Sequence, residues 1–428
     1  MECKDSSLCI FDKPGILTDI QRSYTVDYYP VSSVTSSGPI EFYIPGNSED
    51  YIDLNDIKLY LKIKVTKADG SKIDQTADFV ALNNLAIASL FQDASLSVGD
   101  TQVEGGDMNY AYNGYLKTVS QFTPEAQNSH MLASGWYKDE AGKFDTKTNK
   151  GFAMRQAVIG NSVEVEFFGP LYFDLFNQDR PLISQIDMRI KLQPHKAEFA
   201  LTAFPGKATD FKIHFDSVIL YVDRLEMNPS VINGHAKGLK SQNALYPINH
   251  TELLTYTIPA GQLSYTKDRL FPDMAPKMMM VAMVENTAYN GELGKNPFNF
   301  QHFNLNKIAL YREGRSIPGQ PLTPNFNKNT YLRSYVQTMR ALNYYNTDDT
   351  NGITPSQWAN GYTIYAFDLT SNKDVSTNCL QANLSRNLRL ELSFEKALAS
   401  TINVLIYAVT DSMIEITQLR DVITHYNR

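Results

Sequence analysis

The chain of 428 residues is too long for one ordinary core and points to about two domains. Hydrophobic residues make up 43% and charged residues 20%, the balance of a folded protein, and 25 Tyr and 22 Phe against 2 Trp favour pleated sheet, whose half-buried faces suit aromatic rings. A net charge of −7 excludes a surface that grips nucleic-acid phosphates by bulk charge and leaves room only for a local basic patch.

The N-terminal run MECKDSSLCIFDKPG has no apolar stretch of the kind a secretory signal carries. Cys3, Cys9 and Cys379 are too few and too scattered for a disulfide framework or a zinc site, and they read as free thiols of a reducing compartment. IEFYIPG (40–46) alternates and stops at Pro45-Gly46. The acidic loop behind it gathers Glu49, Asp50, Asp53 and Asp56, carboxylates that could hold Ca²⁺. The Gly-punctuated spacing of a calcium loop is missing, so the expectation is a solvated loop that caps the next strand.

In DIKLYLKIKV (56–65), Ile57, Leu59, Leu61, Ile63 and Val65 alternate with Lys58, Tyr60, Lys62 and Lys64. That period of two is a strand with one buried face, its lysines spread along the other face rather than along a groove. NYAYNGYLKTVSQF (109–122) places Tyr112, Tyr115, Leu116 and Val119 on one helical stripe. SVEVEFF (162–168) puts Val163, Val165 and Phe167 inward and Glu164 and Glu166 outward, and IDMRIKL (186–192) and LRLELSF (388–394) repeat the pattern. SVILYV (217–222), MMMVAMV (278–284) and INVLIYAV (402–409) are apolar on both faces. Such strands need cover on both sides, one side from a sandwich core and the other from a second domain or subunit. GRSIPGQPLTPNFNK (314–328), with three prolines, reads as a rigid connector rather than a ligand loop. NTYLRSYVQTM (329–339) is a second helix with Tyr331, Tyr335, Val336 and Met339 on one stripe. Long connections at 139–151, 285–300 and 341–356 are expected to carry surface contacts. The longest uncharged apolar run, Thr401 to Thr410, is only strand-sized, so no transmembrane segment is expected. Two glycosylation sequons, at Asn249 and Asn383, are chance matches on this reading.

The order of elements repeats. IEFYIPG pairs with LLTYTIPAG (253–261), KLYLKIKV with KMMMVAMV, and ASLSVGDTQVEG (94–105) with KIALYREGRSIPG (307–319). The two helices follow, then VEVEFFGPL with YTIYAFDLT (362–370), IDMRIKL with LRLELSF, and SVILYV with NVLIYAV. The expectation is two copies of one β unit, each of about eight antiparallel strands with one helix inserted midway. Eight strands in two sheets is the strand count of a jelly roll, so the fold class is all-β, with a first roll at 23–248 and a second at 249–428.

The catalytic inventory is thin. GxxxxGK, HExxH, GxSxG and CxxC are all missing, so the reading is of a protein that is not an enzyme, with no catalytic, cofactor-binding or metal-ligating residue assigned. His130, His195, His214, His235, His250, His302 and His425 fall singly, with His214 placed on a strand face, and no His is in evidence beside Cys379 to activate it. A cupin-type enzyme would need clustered His and carboxylate ligands. A sugar-binding jelly roll is the alternative to a structural protein, with Trp136 or Trp358 stacking on a glycan. The two-faced strands and the Tyr/Phe surplus point instead to extensive contact between proteins.

The blocks FDKPGILTDIQRSYTVDYYPVSS (11–33), GPIEFYIPGNSEDYIDL (38–54), NGYLKTVSQFTPEAQ (113–127), GWYKDEAG (135–142), ITPSQWANGYTIYAFDLT (353–370) and NLRLELSFEKALASTINVLIYAVTDSMIEI (387–416) run almost end to end. In these blocks the chain resembles the double jelly-roll major capsid proteins of Polinton/Maverick elements and adintovirus-like viruses. The resemblance implies two jelly rolls side by side and a homotrimer of pseudo-hexagonal outline. It also implies trimers that tile an icosahedral shell around a DNA genome, beside a penton-type single jelly-roll protein at the vertices. It implies further that segment 1–22 is an arm reaching a neighbour or the inner shell surface, that long loops form the outer tower, and that the protein resides in the virion.

Overall fold

The computed structural model describes residues 18–46, 49–106, 108–204, 210–272, 274–375, 380–381 and 386–425. The first half supplies β1 (Ile20–Tyr28), β2 (Ile40–Ile44), β3 (Tyr51–Lys67), β4 (Phe91–Val98), β5 (Thr101–Glu104), β6 (Val165–Pro170), β7 (Met188–Pro194) and β8 (Phe211–Met227). The second half supplies β9 (Ala244–Ile258), β10 (Ser264–Asp268), β11 (Met278–Glu285), β12 (Leu305–Arg312), β13 (Arg315–Leu322), β14 (Ile364–Asp368), β15 (Leu388–Phe394) and β16 (Ile402–Ile416). The first half stacks β1-β8-β3-β6 on β2-β7-β4-β5, and the second stacks β9-β16-β11-β14 on β10-β15-β12-β13. Adding eight to every label of the first order gives the second. This is an antiparallel jelly roll used twice, the fold class the sequence led us to expect.

The match of elements holds for six of the seven pairs and fails for the first. IEFYIPG is β2, whereas LLTYTIPAG closes β9, the counterpart of β1. Both strands stop at Ile-Pro, where proline cannot continue the ladder, and that shared ending made them look equivalent. A short β17 (Val422–Thr424) extends the second roll along β16, and Val80–Leu82 pairs with Leu201–Ala203.

Four helices of ten or more residues lie among the described residues: α1 (Tyr110–Gln121), α2 (Lys150–Ile159), α3 (Pro229–Gly238) and α4 (Leu332–Ala341). Both α1 and α2 fall between β5 and β6, so the first roll inserts two helices where one was expected, while α4 alone lies between β13 and β14. Helix α3 joins the rolls; the Asn228 side chain accepts from Ser230 N, and Pro229 opens the first turn. Strand β9 crosses position 248, and β1 begins at Ile20. Residues 1–17 of the expected arm lie outside the described residues.

The period-two reading of β3 is correct in detail. Ile57, Leu59, Leu61, Ile63 and Val65 are buried, opposite Val222, Leu220 and Val218 of β8, while Lys58, Tyr60, Lys62 and Lys64 stay half-exposed on the other face. Of the three two-faced runs, Met278–Val284 and 402–409 are buried throughout. In 217–222 only Val218, Leu220 and Val222 are buried, and Ile219 and Tyr221 remain half-exposed, so within one chain this strand lacks its second cover. The reason is placement: Val119 of α1, Met280 of β11, and Thr338 and Met339 of α4 line one void of about 10 Å³, so both helices cover β11.

Two further expectations change. Val163 is 56% exposed, because Gly160–Ser162 forms a tight turn and the strand starts only at Val165. The run 314–328 is no mere connector, since Arg315–Leu322 is β13 despite Pro318 and Pro321; it is the edge of its sheet, where proline is tolerated.

Candidate functional site at the seam between the two rolls

The aromatic stripe of α1 builds the first part of the seam. Tyr115 stacks on Phe298 with ring centroids 4.1 Å apart and planes 2° from parallel, and Tyr112 stacks on Tyr289 at 5.5 Å. Phe300 meets Tyr115 edge-on at 5.8 Å, and Trp136 closes the same cluster at 5.4 Å. Tyr289, Phe298 and Phe300 come from the connection at 285–300, which therefore packs into the seam rather than lying on the surface. Offset and edge-on ring pairs each add about 0.5–1.5 kcal/mol beyond area burial.

A buried ionic network forms the second part. Lys117 of α1 donates to Asp174 Oδ1 at 2.5 Å, and Thr251 of β9 donates its N–H to Oδ2 at 2.6 Å and its hydroxyl to Oδ1 at 3.0 Å. Glu104, at the end of β5, accepts from the N–H groups of Asp174 and Leu175 at 2.7 and 2.8 Å. Asp174 alone is bonded to the ammonium, and the Glu104 carboxyl is buried close by against the backbone of Asp174 and Leu175. Burial, and then the charge of Asp174, push the Glu104 carboxyl up to about 8. Burial is the largest single influence on Lys117 and works against its charged form, but Asp174 together with the neighbouring Tyr407 and Glu104 holds the ammonium above its ordinary range. His250 lies 3.8 Å from Asp174, and burial lowers it against the pull of that carboxylate. Nearby, Lys277 donates to Asp411 at 2.7 Å and to Asn249 at 2.6 Å. Between these pairs an open cleft of about 770 Å³ is walled by both rolls.

A loop from the first roll clasps the second. Asp139 accepts from Arg155 and Asn149 at 2.7 Å on its own side and from Asn296 at 3.1 Å across the seam, while Tyr362 donates its hydroxyl to the Asp139 carbonyl at 2.7 Å. Asp145 accepts from Asn296 N and the Asn299 side chain, both at 2.7 Å, and Lys138 donates to the Gly352 carbonyl at 2.8 Å. The C-terminal segment returns the other way: Arg420 donates to the Ser184 carbonyl at 2.9 Å and Thr101 to that of Val422 at 3.0 Å. These contacts are cation–carboxylate, amide and hydroxyl–carbonyl bonds. The arrangement fixes one roll against the other.

The acidic loop is divided among separate tasks. Asp50 accepts from the Tyr24 hydroxyl at 2.6 Å, Asp53 from Asn55 N at 3.0 Å, and Asp56 pairs with Lys58 at 3.1 Å, with Glu49 exposed. Among the described residues no group of three or more His, Cys, Asp or Glu is placed to hold a metal ion. Trp136 and Trp358 are each only 1% exposed, and Trp358 donates its ring N–H to the Ile364 carbonyl, so neither offers a face to a glycan. His214 sits on β8 with Nε2 3.0 Å from the Thr66 hydroxyl. His195 and His302 act as flat rings stacked on Phe199 and Phe326 at 3.7 and 3.8 Å, and burial takes both down to about 4. Cys3, Cys9, Cys379 and the Asn383 sequon lie outside the described residues. Sequence reasoning missed Lys117, Asp174, Glu104 and the Asp139–Arg155 pair. Only Lys117 left a signal, as a charge inside the apolar run Tyr115–Val119.

No family model matches the chain. An uncharacterised protein of Caenorhabditis elegans is 26% identical over 394 residues, which is 90% of this chain and 92% of that protein. Among solved structures, a chain of the Sputnik virophage superimposes with a TM-score of 0.66 at 13% identity, over 100% of this chain and 93% of that one. The Faustovirus major capsid protein gives 0.58 at 8% identity over 95% and 92%, and the mavirus major capsid protein 0.55 at 12% over 100% and 96%. The fold is the viral double jelly roll. Because each match spans nearly the whole of both chains, what is shared is the pairing of two rolls and not one roll alone. No helix among the described residues is long and apolar enough to cross a membrane.

Proposed function

We propose that this chain is a viral major capsid protein whose activity is self-assembly. Three copies form a homotrimer of pseudo-hexagonal outline, and trimers tile an icosahedral shell around a DNA genome, in the manner of the Polinton/Maverick and adintovirus-like capsid proteins it resembles. The observation that carries this reading is the pairing of two rolls with one strand order, likened over nearly its full length to viral major capsid proteins. A trimer of such chains presents six similar units, and a repeated unit closes into a ring without a dedicated pocket. On this reading the protein resides in the virion and meets a penton-type single jelly-roll protein at the vertices, and segment 1–22 serves as an arm.

Negative-stain microscopy of the purified protein tests the proposal. Particles of hexagonal outline, or shells, are the expected result; a field of isolated two-lobed monomers contradicts it.

A further inference from the structure

Helices α1 and α4 hold the same place in the two rolls, and their sequences agree: NGYLKTVSQ (113–121) aligns with NTYLRSYVQ (329–337). Their surroundings do not agree. Tyr115, Leu116, Lys117, Val119 and Ser120 are all buried; Lys117, Val119 and Ser120 face the outward side of the second roll's β9-β16-β11-β14 sheet, while Tyr115 stacks on Phe298. Of the aligned residues in α4, Leu332 is 57% exposed, Arg333 is exposed, and Tyr331, Tyr335 and Val336 are half-exposed. Thr338 and Met339 bury the opposite side of α4, with Thr338 donating to the Ile364 carbonyl at 2.9 Å. Tyr331 stacks on Phe326 at 5.4 Å and Tyr335 donates to the Ile353 carbonyl at 2.9 Å, so the part of the face that α4 leaves open is Leu332, Arg333 and Val336, where α1 buries Leu116, Lys117 and Ser120.

The first roll has the matching vacancy. Its β1-β8-β3-β6 sheet turns an apolar centre outward: Tyr60 lies opposite both Phe168 and Ile219, and Tyr221 contacts the Phe168 ring at 5.5 Å. Phe168 is 42% exposed. Paired charges border this centre, with Lys62 bonded to Glu164 at 2.5 Å and the Tyr60 hydroxyl donating to Glu166 at 2.9 Å. An apolar centre with a polar rim is the anatomy of a protein interface. The register extends the parallel. Tyr221 of β8 aligns with Tyr407 of β16, which lines the cleft with Lys117; two residues on, Thr25 faces Asp223 where Thr251 faces Val409. Asp223 accepts from the Thr25 hydroxyl at 2.5 Å. A cation arriving here from the aligned position of α4 is Arg333, which within its own chain donates only to the carbonyls of Pro321 and Gln320 among the contacts described.

We propose that the outward face of β1-β8-β3-β6 receives α4 of a second copy, with Arg333 of that copy set against Asp223 and Thr25, at the place where Lys117, through Asp174 of its own roll, meets Thr251 within one chain. This rests on the assembly reading above and deepens it, because it names the faces that meet. Repeated head to tail about a three-fold axis, the same contact closes a ring of three copies.

Charge reversal tests the pairing by sedimentation. Arg333→Glu and Asp223→Lys should each raise the subunit dissociation constant by about 30-fold or more, the size of a buried hot-spot contact, and the double variant should regain most of the loss. Melting followed by circular dichroism checks that each variant remains folded. Independently, a photo-crosslinking side chain at position 168, in a mixture of light and heavy-isotope protein, should capture peptides from 329–345 of the other copy. Trimers unaltered by both single variants, or crosslinks that avoid 329–345, overturn this contact while leaving the capsid reading in place. A wild-type protein that stays monomeric at micromolar concentration overturns both.

Discussion

Strands β3 and β11 hold the third place in two sheets of one strand order, yet their outward faces are opposite in kind. β3 turns Lys58, Tyr60, Lys62 and Lys64 toward water, whereas β11 turns Met278, Met280 and Ala282 toward α1 and α4. Hydrogen bonding and inner packing are alike, so strand order alone does not decide composition. The neighbour across the outer face does. A duplicated framework has acquired two environments, one permanently covered inside the chain and one left with a charged rim around a small apolar centre.

The comparison is broken most severely by exchanging the two textures. Met280→Lys places an ammonium among Val119, Met339 and Trp358, and should cost more than about 4 kcal/mol or prevent folding, read by urea denaturation. Asp174→Ala removes the acceptor of Lys117 and Thr251 and strands a buried cation; a loss of about 3–5 kcal/mol is expected in the same assay. On the inner face, where the strands are alike, Leu61→Ala should cost about 2–5 kcal/mol whatever covers the outside.

Glu104 sharpens the contrast through pH. Its folded carboxyl is pushed up to about 8 from an ordinary value of 4.5, so the folded state keeps a proton that the unfolded chain has lost. The stability this contributes is complete below about pH 4.5 and disappears as pH rises through about 8. Glu104→Gln should therefore flatten the fall in melting temperature across that window; an unchanged slope would remove Glu104 as its source. The smallest effect is expected on the open face, where Lys62→Ala breaks a solvent-exposed pair with Glu164 and should leave the unfolding midpoint of the protein unmoved.

The sandwich was legible because period-two alternation in 57–65, 186–192 and 388–394 states which face is buried, and the element order states it twice. Two-sided burial was legible for 278–284 and 402–409, which find both covers inside the chain, whereas 217–222 keeps Ile219 and Tyr221 half-exposed within one chain and so does not find its second cover there. The first repeat pair was misaligned because an Ile-Pro stop marks a strand end without saying which strand. The seam was least legible. Asp174, Glu104 and Asp139 are ordinary surface types, and only the three-dimensional meeting of loops makes them buried partners; Lys117 alone stood out against its neighbours.

The central claim is assembly, and the mass in solution tests it most directly. Light scattering of the purified 48.3 kDa chain at micromolar concentration and neutral pH should give about three times that mass and hold it on dilution, as an obligate interface of more than roughly 2,000 Å² requires. A single monodisperse species of 48.3 kDa under those conditions would contradict the assignment.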